Sequence, residues 1–211
     1  MLFLVERGHV EVGQSLEQTL VRTVLERAEF HPWRVQSVGL LGLWLDDQRE
    51  YRLHVWDPEG AIGEPPIHDH AVDFTSTVVV GEIVNTRYVE DPSGPVYLRE
   101  RHSPGNEDDR RADAVRLVGA SATLRAGDSY RQLAHELHGS AQAPGTVTVV
   151  RFEGALDDPG ELTTCRRPGT PWVSGKARPA TPDEVRRVAA TALALFETAT
   201  GCERRRATRR R

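Results

Sequence analysis

The residues with the clearest potential for chemistry are two histidines, His68 and His70, separated by a single residue. They precede an apolar run at residues 75–80, which is typical of a buried strand. Side chains two residues apart on a strand leave the same face, so the two imidazoles are expected to point together. Neutral imidazole is the commonest protein ligand for a transition metal. The pair therefore predicts two ligands of a metal site.

A second histidine pair, His135 and His138, follows a Gly-Asp turn that begins at Gly127. Residues three apart on a strand face opposite ways, so only one of these two can join the same site. The segment at residues 145–152 is rich in Val and Thr and predicts another buried strand. On spacing alone, either histidine could supply the third ligand.

A mononuclear metal that activates oxygen needs open positions beside its protein ligands. A carboxylate is one option for the third ligand, but Phe74 and Thr75 stand where it would follow the first histidine pair. Asp73 is the nearest carboxylate, and its strand parity from His70 is wrong unless a bulge intervenes. These residues favour a site of three histidines.

The sequence His68-x-His70, then Gly81, then Gly127-Asp128 with His138 after them, resembles the two-motif pattern of the cupin superfamily. Within that superfamily, residues 66–70 and 130–138 are most similar to the cysteine dioxygenase (thiol dioxygenase) group. The resemblance covers residues 33–155 and favours His138 over His135, because of the spacing from Gly127 and the alignment of Tyr130. It implies a Fe2+ site of His68, His70 and His138, although Ni, Zn or Mn are possible occupants.

The chain also departs from the thiol dioxygenase pattern. Animal-type members crosslink a cysteine near the histidine pair to a tyrosine on the last barrel strand, where this chain has Thr75 and Phe152. Val150 replaces a histidine that many members carry near that tyrosine. These side chains lack a polar group for the substrate. Tyr130 and Thr75 are the candidates that compensate for the loss, and both are predicted to be catalytic.

Substrates of that group carry a carboxylate, which an inward-facing arginine would hold as a bidentate pair. Arg52, Arg87 and Arg131 are near the predicted rim of the cavity, and Arg52 is the first choice as the third catalytic residue. His54 shares a strand face with Arg52 and Trp56 and could line the cavity, but the prediction is a hydrogen-bonded barrel histidine rather than a ligand.

Composition is that of an ordinary soluble protein, with 211 residues, 38% hydrophobic and 27% charged. The net charge is −4 although six arginines follow Glu203, so the body is acidic and no nucleic-acid partner is expected. Cys165 and Cys202 are the only cysteines, and no secretory signal or membrane span is found. The chain is predicted to be cytoplasmic, a monomer or homodimer, with reduced thiols.

Short strands separated by regular turn signals predict a mainly β protein, a cupin-type double-stranded β-helix barrel (jelly roll) with flanking N- and C-terminal α-helices. Thr181, Pro182 and Glu184 form the start signal of the second helix, which Gly201 would end. The predicted divisions are an N-terminal arm and helix at residues 1–32, the barrel with the metal site at 33–155, a C-terminal arm and helix packed on the barrel at 156–202, and a disordered Arg-rich tail at 203–211.

Three functions fit these observations. The first is a mononuclear non-haem iron dioxygenase that oxidises a small organic molecule, such as a thiol or amino acid, with O2. The second is a metal-dependent isomerase, lyase or hydrolase in which the metal acts as a Lewis acid. The third is a cupin that binds a ligand without catalysis, because a fold alone does not determine function.

Overall fold

The structure is a computed structural model that describes residues 16–36, 39–57, 67–103, 106–154, 161–170 and 177–208. Two α-helices, α1 (Leu16–Glu26) and α2 (Pro182–Thr208), flank a large β region, and a short 3-10 helix spans Ala28–Phe30. The predicted fold class, a mainly β barrel with flanking helices, is confirmed. The predicted N-terminal arm at residues 2–12 lies outside the described residues, as do Pro65 and Pro66 before the first histidine pair.

The described part of the chain contains thirteen strands, which are β1 (Arg34–Gln36), β2 (Leu40–Trp44), β3 (Tyr51–Trp56), β4 (Ile67–His68), β5 (Asp73–Val80), β6 (Glu82–Glu90), β7 (Val96–Ser103), β8 (Asn106–Arg125), β9 (Ser129–Gln132), β10 (His138–Gln142), β11 (Val147–Glu153), β12 (Leu162–Arg166) and β13 (Arg178–Pro179). Seven of them form one antiparallel sheet in the order β13-β1-β2-β3-β11-β5-β9. The other six close into a barrel in the order β10-β4-β12-β7-β8-β6.

Strand β3 shows how the seven-stranded sheet divides its two faces. Leu53 and Val55 are buried in the main hydrophobic core, whereas Arg52, His54 and Trp56 alternate with them and line an internal cavity. This agrees with the prediction that Arg52 and His54 share a strand face, and it follows from the two-residue period of a strand. One face of the sheet therefore supplies stability and the other supplies the site.

The two helices cover the outer face of the seven-stranded sheet. Val21 and Leu25 of α1 share one core cluster with Val188 and Phe196 of α2 and with Leu53 of β3. Burying these apolar side chains is what holds the helices on the sheet. Neither described helix combines the length and the hydropathy needed to cross a membrane.

The start of α2 has the predicted capping box. The backbone N–H of Thr181 donates to the Glu184 carboxylate at 2.8 Å, and the Glu184 N–H donates to the Thr181 hydroxyl at 3.3 Å. The end of the helix differs from the prediction, because α2 continues through Gly201 to Thr208. Residues 203–208, predicted to belong to a disordered tail, are therefore helical, which the good helix propensity of Arg, Ala and Glu favours. Residues 209–211 lie outside the described part.

Two other segments differ from the sequence prediction. The polar composition of residues 103–113 predicts a loop, but β8 begins at Asn106, and its residues 111–113 pair with residues 99–101 of β7. Arg99 and Asp113 also form an ion pair across the two strands. The C-terminal arm expected at residues 160–180 contains β12, which pairs with both β4 and β7. The barrel therefore includes a strand beyond residue 155, because its closure depends on pairing between segments distant in sequence.

The packing of α2 leads to a stability prediction. Val188 is 1% exposed in the core cluster that joins α2 to the sheet, so Val188→Ala should lower the free energy of unfolding by about 2 kcal/mol through lost burial and a residual cavity. Arg186→Ala, on the exposed side of the same helix, should change it by less than about 0.5 kcal/mol. Urea denaturation measures both, and equal effects of the two variants would contradict this packing.

Candidate metal centre

Strand pairing brings the three predicted histidine ligands together. His138 at the start of β10 lies opposite His68 at the end of β4, and His70 follows just beyond that strand end. The ring centroids are 4.7 to 5.1 Å apart. One nitrogen from each ring lies within 4.8 Å of the others. This arrangement could hold a metal ion, as the sequence predicted for His68, His70 and His138.

The chain around the cluster restrains His70, although that residue lies outside regular structure. The His135 backbone N–H donates to the His70 carbonyl at 2.9 Å. Asp69, between the two ligand histidines, is buried, and its carboxylate accepts the Thr163 N–H at 2.7 Å. Asp69 also donates its own N–H to the Thr163 carbonyl at 3.1 Å. The ligand segment is thus joined to β12 by two hydrogen bonds, one to the Asp69 side chain and one from the Asp69 backbone.

Asn85 on β6 determines which nitrogen of His138 faces the cluster. Its side-chain oxygen lies 2.9 Å from His138 Nδ1 and also accepts the Ser140 hydroxyl at 3.1 Å. An oxygen that accepts hydrogen bonds requires a proton on Nδ1, so Nε2 carries the lone pair. That Nε2 lies 3.0 Å from His70 Nε2. Two ring nitrogens this close are well placed to share a cation, and the residues therefore fit a metal.

Burial keeps the imidazoles of His70 and His138 neutral, which is the form that binds metals. Burial, followed by the charges of His68 and Arg87, lowers the pKa of His138 to about 2. The pKa of His70 is held well below its ordinary value by burial first and then by His68, His138 and His54. At neutral pH both rings therefore offer a lone pair rather than a proton.

His135, the alternative third ligand, lies outside the cluster. Its side chain is 58% exposed, and its Nδ1 is 3.6 Å from the Asp69 carboxylate. Its backbone has a φ of 60°, in the left-handed region that non-glycine residues seldom adopt. The backbone turn at His135 directs its ring away from His68 and His70. The geometry therefore favours His138 as the third ligand.

The histidines border a cavity of about 210 Å³. Its lining comes from both sheets and consists of Gln36, Leu40, Arg52, His54, Trp56, His68, His70, Phe74, Ser76, Ile83, Tyr130, His138, Ser140, Thr148, Val150 and Phe152. Val150 and Phe152 form an apolar wall, as expected from their types. The cavity is thus large enough for a small organic molecule beside the histidines.

Tyr130, predicted to be catalytic, lies in this lining. Its phenol hydrogen-bonds with Ser76 and Ser140. Burial raises the pKa of Tyr130, so the phenol keeps its proton at neutral pH. Because Ser140 also donates to Asn85, a chain of hydrogen bonds connects the phenol to the back of His138.

The prediction for Thr75 is wrong. Phe74 and Ser76 line the cavity, so strand alternation turns Thr75 to the outer face of β5. There its hydroxyl donates to the Glu153 carboxylate at 3.3 Å. Thr75 therefore cannot supply the polar group that Val150 and Phe152 lack.

Of the three candidate arginines, Arg52 is the one that lines the cavity. Its guanidinium carbon lies 5.0 Å from the centre of the Trp44 ring. Arg131 forms ion pairs with Asp73 at 2.9 Å and Glu153 at 2.8 Å, and Arg87 donates to the Arg131 carbonyl. Asp73 is thereby occupied outside the histidine cluster, which contains no carboxylate among the described residues.

Sequence reasoning missed Asn85 and misjudged His54. Asn85 is a buried polar residue two positions from buried Ile83, and a polar side chain at an inward strand position is the signal that could have found it. His54 lines the cavity, but its Nε2 is buried and finds no hydrogen-bond partner in the described part of the chain, unlike the hydrogen-bonded histidine that was predicted. Burial, followed by the charge of Arg52, lowers the pKa of His54 to about 3.

Neither a known family model nor a curated protein matches the chain. Among solved structures, it is similar to the Drosophila melanogaster CENP-C cupin domain at 12% identity, covering 72% of this chain and 99% of that one (TM-score 0.27). It is also similar to hydroquinone 1,2-dioxygenase PnpCD in complex with Cd2+ and 4-hydroxybenzonitrile, at 12% identity, covering 72% and 83% (TM-score 0.36). A third is hydroquinone 1,2-dioxygenase from Sphingomonas sp. TTNP3 with 4-hydroxybenzoate bound, at 16% identity, covering 51% and 62% (TM-score 0.29).

None of these three structures is a cysteine dioxygenase, so that subgroup stays a prediction. All three TM-scores are below 0.5, and the interpretation of the site therefore rests on its own geometry.

The geometry predicts a graded series of metal affinities. His70→Ala should abolish binding of a divalent metal, because two imidazoles hold a labile ion poorly. Asn85→Leu should weaken binding by about 10- to 100-fold, because His138 loses the partner that fixes its tautomer. His135→Ala is the matched control and should bind as the unchanged protein does.

Titration with Zn2+ against a competing chelator measures this series, together with elemental analysis of the purified variants. Full metal occupancy in His70→Ala would contradict the three-histidine site. Equal losses in Asn85→Leu and His135→Ala would contradict the role given to Asn85.

Proposed function

We propose that this protein is a mononuclear non-haem iron dioxygenase, of the cysteine dioxygenase-like cupin type, which oxidises a small organic molecule with O2. The observation that carries the proposal is the convergence of three histidines, His68, His70 and His138, on the lining of one cavity. Three protein ligands leave other positions of a metal free for substrate and dioxygen. A structural site would instead be closed by four protein ligands.

His68, His70 and His138 would hold Fe2+, and when bound the iron would supply the redox chemistry that activates dioxygen. Three imidazoles also suit Ni, Zn or Mn, so the ligand set alone does not select iron. The hydrogen bond from His138 Nδ1 to Asn85 keeps one ligand oriented before any metal arrives. This pre-orientation lowers the cost of assembling the site.

The chain's own residues would position the substrate and exclude water. Phe74, Val150 and Phe152 supply apolar surface, which favours burial of an apolar part of the substrate. Tyr130 would donate a hydrogen bond from its protonated phenol to a substrate or oxygen atom beside the histidines. Arg52 would provide the positive charge that orients an acidic group.

For a thiol substrate, both atoms of O2 would enter the product, converting R–SH to R–SO2H. The apolar wall formed by Val150 and Phe152 offers no hydrogen-bonding side chain to the amine or carboxylate of a compact amino acid. Free cysteine would leave its polar groups against this wall, and their lost hydration disfavours it. A bulkier substrate with an apolar body fits better.

Oxygen uptake tests the proposed function. The protein reconstituted with Fe2+ should give weak or no stoichiometric uptake with cysteine, cysteamine or mercaptopropionate, and faster uptake with a thiol acid that carries a larger apolar body, such as 2-mercapto-3-phenylpropanoate. An oxygen electrode combined with mass analysis of the product makes the measurement. His70→Ala with the same amount of iron is the control for oxidation by free iron.

Fast uptake with free cysteine would show that Val150 and Phe152 do not restrict the substrate. The absence of uptake with any of these thiols, with zinc or nickel in the purified protein, would replace the oxidative function by a non-oxidative one in which the metal is a Lewis acid.

A further inference from the structure

Strand β8 changes its neighbour halfway along its length. Its first half pairs with β7 as far as Arg116, and its second half pairs with β6 from Leu117 onward. The barrel order places β7 and β6 on opposite sides of β8. Along residues 118–124, the side of β8 that faces away from β6 therefore has no strand beside it in the described part of the chain. We call residues 118–124 of β8 the open window.

Hydrogen bonds close both ends of the open window. The Leu117 N–H donates to the Pro95 carbonyl at 3.1 Å on this side of the strand. At the other end, the Arg125 N–H donates to the Asp128 carboxylate and the Arg125 carbonyl accepts the Asp128 N–H, both at 2.8 Å. The N–H and C=O of one strand residue point to the same side, and those of the next residue point to the other. Between the two closed ends, the residues that direct both groups to the open side are Gly119, Ser121 and Thr123.

The backbone groups of the open window are available to another strand. Gly119, Ser121 and Thr123 have no backbone partner on the open side within the ranges that the structure describes. Residues 118–123 are all exposed, so water solvates these groups in the single chain. A row of unpaired N–H and C=O groups on an exposed strand is a template for pairing with another chain.

The open window also lacks the features that protect the other strand edges. No residue from 117 to 124 is charged and none is proline, whereas the first half of β8 is charged at most positions from 107 to 113. The end strands of the seven-stranded sheet carry Arg131 on β9, and Arg178 with Pro179 on β13. Charges and proline keep an edge from pairing with a further strand. The open window therefore differs from these edges in being able to accept one.

The unpaired groups are arranged symmetrically about Ser121. A second copy of β8, laid antiparallel about this residue, would place Ser121 opposite Ser121 of the second copy. Gly119 would lie opposite Thr123 of the second copy, and Thr123 opposite its Gly119. Each of these three pairs would exchange two hydrogen bonds, because all the residues involved direct their N–H and C=O groups to the open side. No backbone group of the open side would then remain unpaired.

The side chains of the open window match their own copy in the same register. Val118 would lie opposite Leu124 of the second copy, and Ala120 opposite its Ala122, on one face of the joined sheet. Val118 is 40% exposed in the single chain, so this contact would remove apolar surface from water. Because the open window is uncharged, two identical strands would meet without repulsion.

We propose that the open window joins two copies of this chain into a homodimer, with a two-fold axis at Ser121 and the sheet continuing from one copy into the other. A second copy is favoured over an unrelated strand because a two-fold interface requires a self-complementary surface, which this symmetric, uncharged edge provides. None of residues 118–124 lines the cavity, so the inference is independent of the proposed function. The paired segment is short compared with a standard interface, and a dissociation constant in the micromolar range is expected.

Sedimentation equilibrium of the full chain over a range of concentrations tests the proposal and should show a monomer–dimer equilibrium. Ser121→Pro should abolish the dimer, because proline removes the central hydrogen bonds. The Ser121 N–H lies on the open side, so this change leaves the pairing with β6 intact. Ser121→Ala is the matched control: it loses the hydroxyl contact with Thr86 at 2.8 Å but keeps the backbone groups, and it should dimerise as the unchanged chain does. Circular dichroism confirms that each variant is folded.

A pair of charged variants tests the position of the axis without proline. Ser121→Lys and Ser121→Glu would each place like charges directly opposite one another and should raise the dissociation constant by about fivefold. An equimolar mixture of the two should form a heterodimer that is tighter than either variant alone. This rescue is expected only if residue 121 of one copy faces residue 121 of the other.

Cysteine crosslinking gives a second measure of the register, in a Cys202→Ser background in which Cys165 stays fully buried. Ser121→Cys should form a disulfide-linked dimer on mild oxidation, because the Cα atoms of a hydrogen-bonded pair are about 5.5 Å apart, within the range of a disulfide. Thr123→Cys is the control on the same edge. Its two copies would be ~13 Å apart along the strands and should not crosslink.

A chain that sediments as a monomer at every concentration would overturn the proposal, and so would a dimer unchanged in folded Ser121→Pro. Equal crosslinking at positions 121 and 123, or no rescue in the mixture of charged variants, would overturn the axis at Ser121. A monomer whose Gly119, Ser121 and Thr123 amides are protected from hydrogen exchange would assign the open window to another segment of the same chain and would also refute the homodimer.

Discussion

Three imidazoles can share one cation only if each turns an unprotonated nitrogen toward it, and in this protein two conditions secure that state. Burial disfavours the charged form of His70 and His138, and Asn85 places the remaining proton of His138 on Nδ1. Without Asn85, the ring could rotate or exchange tautomers and lose the lone pair at the cluster. Tyr130 lines the same cavity as the three histidines, and β12 holds Asp69, the residue between His68 and His70.

The architecture meets that constraint by pairing short strands from distant parts of the chain. Only two residues of β4 are in regular pairing, yet they are hydrogen-bonded to β10 on one side and β12 on the other. The first pairing sets His138 against His68, and the second joins Asp69 to Thr163. Because backbone pairs fix the register, His68 and His138 are held more rigidly than loop residues would be.

The sequence was sufficient for His68 and His70 because their two-residue spacing is a local signal, whereas the choice of His138 over His135 depended on the resemblance to the cupin pattern. It failed at Thr75, since β5 carries polar residues on both faces and its parity cannot be determined from Thr75 and Ser76 alone. It also failed at β12, whose pairing with β4 and β7 is a property of the closed barrel. Asn85 was missed because its partner His138 is 53 residues away in the chain.

Strand β3 shows how the protein tolerates a cavity wall with unpaired donors. Leu53 and Val55 are fully buried under the helices and contribute apolar burial, while Arg52 and His54, at the alternate positions, line the cavity. Arg52 Nε and His54 Nε2 have no hydrogen-bond partner among the described residues. Buried polar groups without partners destabilise a fold unless something else offsets them. Here the compensating stability comes from apolar burial on the opposite face of the same strand, where α1 and α2 pack. Buried polar side chains without partners are expected at functional sites. On this strand they alternate residue by residue with the apolar side chains of the core.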